Sequence, residues 1–167
     1  MLRWGYFPET RELNINRNLE EKRREKVRIL WVGRFIEFKQ PIHALRVAKF
    51  LSDRHHNFIL EMVGEGPLLE EMKKHAKNLK IQNVVFFSGA MPPERVREKM
   101  EESNIFLFTS NREEGWGVVL NEAMNSGSAV VVNEAVGAAP FLINDKFNGI
   151  VYQSNSIRSL CYEAENL

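Results

Sequence analysis

The stretch IFLFTSNREEGWGVVLNEAMNSGSAVVVNE, residues 105–134, decides how the rest of the chain is read. It opens on an apolar run, IFLF, and turns at Gly115-Trp116-Gly117. An apolar–polar pattern, VVLNEAMN, follows, closes at Ser126-Gly127, and gives way to a second apolar run, AVVV. Short runs that are apolar throughout read as strands buried on both faces, and two of them joined through an amphipathic helix form a parallel pair.

Upstream the same alternation recurs. VRILWVG (27–33) reads as a strand, and KQPIHALRVAKFLSDRH (39–55) as a helix with Ile42, Leu45, Ala48 and Leu51 near helical spacing. FILEMVG (58–64) is a second strand. PLLEEMKKHAKNLK (67–80) is a helix with Pro67 in its first turn and Leu68, Met72, Ala76 and Leu79 on one stripe. VVFFSG (84–89) and PPERVREKMEES (92–103) repeat the pair, and GIVY (149–152) supplies a sixth strand downstream. The pattern predicts an α/β domain over residues 27–167: a Rossmann-like three-layer sandwich with a parallel six-stranded sheet and helices on both faces. Residues 1–26, polar and ending in the mixed charge run RNLEEKRREK, read as a connector or interdomain segment. Its rings Trp4, Tyr6 and Phe7 need a surface to dock on, such as a neighbouring domain.

Composition narrows the partners. The chain has 167 residues, 44% of them apolar, and a formal net charge of +1, which gives no electrostatic case for nucleic acid. The single cysteine, Cys161, excludes an internal disulfide and favours a reducing compartment, so the expected location is cytoplasmic. No apolar run approaches the ~20 residues of a membrane helix. Only two aspartates, Asp53 and Asp145, stand against twenty glutamates, so the chain offers no D-x-D pair to hold a divalent metal. The four histidines, His43, His55, His56 and His75, fall on or beside the first two helices and read as surface or packing residues.

In a parallel sheet, ligands bind at the carboxyl ends of the strands and the amino ends of the helices. After the first strand, Gly33 permits a tight turn, and Arg34 and Lys39 follow in the loop. Two cations there suit an anion, though solvated surface charges would read the same. The second strand ends in Gly64-Glu65-Gly66, but Leu69 breaks a G-x-G-x-x-G fingerprint, so a close turn is expected. Ser88, Gly89 and Ala90 are small enough to leave room for a flat base, or form an ordinary loop. After the fourth strand, the N–H groups near Gly117, Val118 and Val119 begin a helix, and such an end suits phosphate. Glu114 precedes it and Glu122 lies on the face of Val118. Carboxylates suit vicinal hydroxyls and phosphate poorly, so two of them flanking a diphosphate would reach sugar hydroxyls on either side.

These residues resemble the C-terminal domain of GT-B glycosyltransferases, in the group 1, or family 4, type that includes sucrose synthases and bacterial mannosyl- and glucosyltransferases. EGWGVVLNEAMNSG resembles the E-x(7)-E element, VGRFIEFK the Gly-Arg-loop-Lys element, and MVGEGPL, FFSG and NDKFNGIVY fall in the family's order. The resemblance implies a retaining, metal-independent transfer of sugar from a nucleotide diphosphate sugar of UDP or GDP type, with no cofactor, in polysaccharide or glycoconjugate synthesis. The acceptor would be a saccharide or lipid-linked. Arg34, Lys39 and Glu114 would be the catalytic set. Gly33, Ser88, Gly89, Gly117, Val118, Val119 and Glu122 would bind the donor, with Glu122 on the ribose and the segment around Ser88 facing the base. The acceptor domain, N-terminal in the family, has no counterpart here, so the fragment alone is expected to be inactive; peripheral membrane contact of the full enzyme stays open. Trp116 replaces a common phenylalanine, Gln40 a frequent glycine, and VGAAP with Pro140 and Phe141 lacks the family's Gly-Gly-x-x-E glutamate. The rival readings are a Rossmann-type dehydrogenase domain and a non-catalytic binding module.

Overall fold

The computed structural model describes residue 20 and residues 26–167 apart from 145 and 155. The connector assigned to residues 1–26, with Trp4, Tyr6 and Phe7, falls almost wholly outside these, as does Asp145. Strands β1 (Val27–Val32), β2 (Phe58–Val63), β3 (Val85–Gly89), β4 (Ile105–Phe108), β5 (Ala129–Asn133) and β6 (Ile150–Tyr152) make one sheet in the order β3-β2-β1-β4-β5-β6. Every neighbouring pair is parallel. The helices are α1 (Pro41–Asp53), α2 (Leu69–Asn78), α3 (Pro93–Glu102), α4 (Val118–Asn125), α5 (Ala139–Leu142) and α6 (Ile157–Glu165), with a 3-10 turn at Glu37–Lys39 ahead of α1.

Consecutive residues of a strand point to opposite faces, and β1 shows why its run has to be apolar throughout. Ile29 and Trp31 enter one core with Leu45, Ala48 and Leu51 of α1, Met72 and Ala76 of α2, and Leu160 and Ala164 of α6. Leu30, between them, enters the second core with Met100 of α3, Leu120 and Ala123 of α4, and Ala139 of α5. The three-layer sandwich read from the sequence is therefore the observed fold. Among the described residues no helix is long and apolar enough to cross a membrane.

Two local expectations change. Pro67 precedes α2 rather than opening it: the Leu68 and Leu69 amides donate to the Phe35 and Gly66 carbonyls, so the backbone at 67–68 makes a turn against the first loop. Helices α5 and α6 were not expected. The sequence carries a signal for α6, since Ile157, Leu160, Cys161 and Ala164 repeat at helical spacing and Ser156 caps it, its Oγ accepting the Ser159 amide at 3.0 Å. Cys161 is buried, and desolvation pushes its thiol up to about 11, so it packs as a small apolar group.

The topology sets the position of the site. From β1 the chain leaves toward β2 and β3 on one side, and it returns to place β4 on the other side of β1. The loops after β1 and β4 therefore lie next to each other at the carboxyl edge, where such sheets bind ligands.

Candidate functional site

The loops after β1 and β4 are fastened together. The Trp31 Nε1–H donates to Thr109 Oγ1 at 2.9 Å, and the Thr109 hydroxyl in turn donates to the Lys39 carbonyl at 2.7 Å. The Asn111 amide donates to the Phe38 carbonyl at 2.8 Å. Asn111 also folds its own loop: Oδ1 accepts the Glu113 amide at 2.9 Å, and its carbonyl accepts the Glu114 amide at 3.0 Å. Arg34, Lys39 and Glu114 are thereby carried on one bridged pair of loops, although 75 positions separate Lys39 from Glu114.

Within this frame the Lys39 ammonium pairs with the Glu114 carboxylate, and the two side chains are only 16% and 14% exposed. The Lys39 nitrogen also lies 5.4 Å from the Phe38 ring centre and 5.7 Å from that of Phe108. Arg34 is exposed and forms no ion pair among the described residues. Gly117 caps α4 at φ +80°, where a β-carbon would lie 2.6 Å from the Phe108 ring and 2.9 Å from Val136. Only glycine fits, and it lets the first turn of α4 sit tight over β4. Among the described residues no side chain caps that helix, so its first N–H groups, at Val118 and Val119, stand at the positive end of the helix dipole without a side-chain acceptor. Glu122 is half-buried one turn further on, and its carboxylate has no hydrogen-bonding partner among the described residues.

The base-side segment is more constrained than its small residues suggest. The Ser88 hydroxyl donates to Glu61 Oε1 at 2.6 Å, and Glu61 Oε2 pairs with Lys99 at 3.2 Å. Gly89 gives its carbonyl to the Gly64 amide. The Ser88 hydroxyl is thus engaged with Glu61 at the edge of the sheet.

Several groups at the edge are visible only in three dimensions: Trp31, Thr109, Asn111 and the pair Trp116–Phe141. The Trp116 indole N–H donates to Asn121 Oδ1 at 3.0 Å, and its ring stacks on Phe141 at 5.6 Å between centres. The histidines do not assemble: His56 pairs with Glu165 and His75 with Glu71. Half-buried His43 is held neutral, its pKa lowered to about 4 by desolvation and then by Arg46.

Gln40 explains its own oddity. It adopts the left-handed conformation, φ 48° and ψ 52°, as the residue ahead of α1, and its Oε1 is buried without a partner among the described residues. Left-handed backbone disfavours a side chain by about 1–2 kcal/mol, and an unpaired buried acceptor adds about 1–3. Gly at this position loses about 0.5–1 kcal/mol through the unfolded chain. Gln40→Gly is therefore expected to raise stability by about 1 kcal/mol or more in urea unfolding; a loss of that size would refute the account.

This edge carries a cationic loop, a glycine-capped helix and two carboxylates, Glu114 and Glu122, at the carboxyl ends of parallel strands. The family model described as glycosyl transferases group 1 matches residues 14–165, and the chain belongs to that family. An uncharacterised glycosyltransferase of Methanocaldococcus jannaschii is 30% identical over 142 residues, which are 84% of this chain and 36% of that protein. The chain thus spans about a third of the length of this relative. The C-terminal domain of the group 1 glycosyltransferase LpcC from Francisella tularensis superposes with a TM-score of 0.74 at 19% identity, covering 95% of this chain and 84% of that one. TarM of S. aureus, crystallised with UDP among its ligands, superposes with a TM-score of 0.76 at 20% identity, over 84% of this chain and 28% of that one. The fold is that of the C-terminal domain of GT-B glycosyltransferases, and the dehydrogenase reading falls with the family match.

Proposed function

We propose that this domain binds the nucleotide diphosphate sugar donor of a retaining, metal-independent glycosyltransferase. The observation that carries this reading is the bridging of the Arg34–Lys39 loop to the Glu114 loop beneath the free amino end of α4. The diphosphate lies between Arg34, Lys39 and the N–H groups of Val118 and Val119. Glu122 accepts the ribose hydroxyls and Glu114 those of the sugar, while the backbone around Gly89 faces the base. Transfer breaks the bond between the sugar's anomeric carbon and the phosphate oxygen, whose electron pair leaves with the nucleoside diphosphate, while the acceptor hydroxyl oxygen bonds to that carbon and its proton passes to the leaving phosphate. Two cations and a helix dipole stabilise that developing charge, the task a divalent ion performs elsewhere. The acceptor, a saccharide or a lipid-linked group, is held by a separate N-terminal domain, and the chain alone does not turn over. The same reading places the enzyme at the cytoplasmic supply of activated sugars, in polysaccharide or glycoconjugate synthesis.

Calorimetry with EDTA present tests the proposal. UDP or GDP is expected to bind at micromolar to millimolar Kd without added metal. Arg34→Ala is expected to weaken the diphosphate by about tenfold or more, as loss of a charged hydrogen bond does, and the nucleoside far less. Binding that needs a divalent ion, or an equal loss for nucleoside and diphosphate, would remove the phosphate role.

A further inference from the structure

The ion pair between Lys39 and Glu114 joins the two groups that the donor reading assigns to opposite parts of one ligand, phosphate and sugar. Both side chains are mostly withdrawn from water, Lys39 between the Phe38 and Phe108 rings and Glu114 at the turn that Asn111 holds. Taking one partner from such a pair leaves the other charge poorly compensated. A diphosphate that engages Lys39 therefore competes with Glu114 for it. It also brings negative charge toward a carboxylate that has just lost its counter-ion.

We propose that the Lys39–Glu114 pair is a specificity device that favours a nucleotide sugar over a bare nucleoside diphosphate. The inference rests on the donor-site reading. When a sugar is attached, its hydroxyls donate to Glu114 as Lys39 turns to the phosphate, so both members of the pair exchange one partner for another. When the sugar is gone, nothing replaces the ammonium at Glu114, and the pair re-forms at the expense of the product. The site thus weakens its hold on the leaving diphosphate through a group that also recognises the donor. Arg34, exposed and outside the pair, attracts either ligand and does not discriminate. Among the described residues no second cation is paired with Glu114, so Lys39 is the group whose removal should abolish the effect.

The test is a two-by-two set on the 167-residue chain: wild type, Glu114→Gln, Lys39→Met and the double variant, each titrated with UDP and GDP and with UDP-glucose and GDP-mannose. The gain from glutamine is expected for the diphosphates and not for the nucleotide sugars. Glutamine keeps the shape of Glu114 and removes its charge. Glu114→Gln is expected to bind the tighter of the two diphosphates on the order of tenfold more strongly than wild type, the scale set by removing a partly buried charge pair. On the Lys39→Met background the same glutamine is expected to change affinity by less than about twofold, since no ammonium is left to release. Inorganic pyrophosphate, which carries no base or ribose, is expected to show the same pattern. Weaker or unchanged diphosphate binding by Glu114→Gln overturns the inference while wild-type binding leaves the donor site standing. An equal gain on both backgrounds also overturns it, because simple charge removal would then suffice. Absence of diphosphate binding in all four proteins overturns the inference and the donor reading together.

Discussion

Gly64→Ala is expected to destabilise the domain by more than about 4 kcal/mol, the range of severe backbone or packing violations. Gly64 sits at φ +135°, and a β-carbon there would lie 1.9 Å from the carbonyl oxygen of Gly33 and 2.9 Å from its carbon. Neither backbone can step aside. The Gly33 amide donates to Val63 at 3.0 Å and the Gly64 amide to Gly89 at 2.8 Å, so both are pinned at the ends of β1 and β2. A fall in Tm of at least about 8 °C should follow, given about 2–4 °C per kcal/mol for a chain of this size. Any protein that still folds should bind UDP more weakly, because the displaced carbonyl leads directly into Arg34. Gly115→Ala is the control: nothing lies within 4 Å of its β-carbon, and its stability should stay within about 1 kcal/mol. Similar melting for the two variants would show that the loops after β1 and β2 have room to part.

The same contact explains what a reading of residues can and cannot reach. The Gly-Glu-Gly after β2 is rightly a close turn, yet the sequence does not say against what; its partner is the Gly33 carbonyl, 31 positions earlier. The strands were legible because burial on both faces forces them to be apolar throughout, as Ile29, Leu30 and Trp31 show by dividing between two cores. Arg34, Lys39 and Glu114 are candidates because a topological rule directs attention to the residues following each strand. The rule locates a residue but not the direction of its side chain. It therefore did not reveal that Lys39 and Glu114 meet, nor that Ser88 faces Glu61 in the sheet. Helix α5, only Ala139–Leu142, is too short to display a period. Gln40 stood out as an unusual neighbour of Lys39, and the reason lies in a backbone angle that residue identity alone does not encode.

Trp31→Ala is expected to cost about 3–5 kcal/mol, as truncating a fully buried large aromatic does. The ring belongs to the core shared by β1, α1 and α2, and packs on Phe35 at 4.9 Å between centres. Its edge also reaches the site: the indole N–H holds Thr109, which holds the carbonyl of Lys39. Trp31→Phe separates the two roles, keeping much of the packing while deleting the N–H. It should cost about 1–2 kcal/mol, one buried hydrogen bond plus a small volume loss, and weaken UDP about threefold as the Lys39 loop loosens. Thr109→Val is the harsher comparison at equal shape. It leaves both the Trp31 N–H and the Lys39 carbonyl without a partner, and an abandoned buried polar group costs more than a bond removed from both ends. The expected order of UDP affinity is wild type, then Trp31→Phe, then Thr109→Val, measured at a temperature where all three are folded. If Trp31→Phe and Thr109→Val bind UDP as wild type does, the tether is a feature of the core alone. Lys39 would then take its position from the 3-10 turn at Glu37–Lys39 rather than from β4.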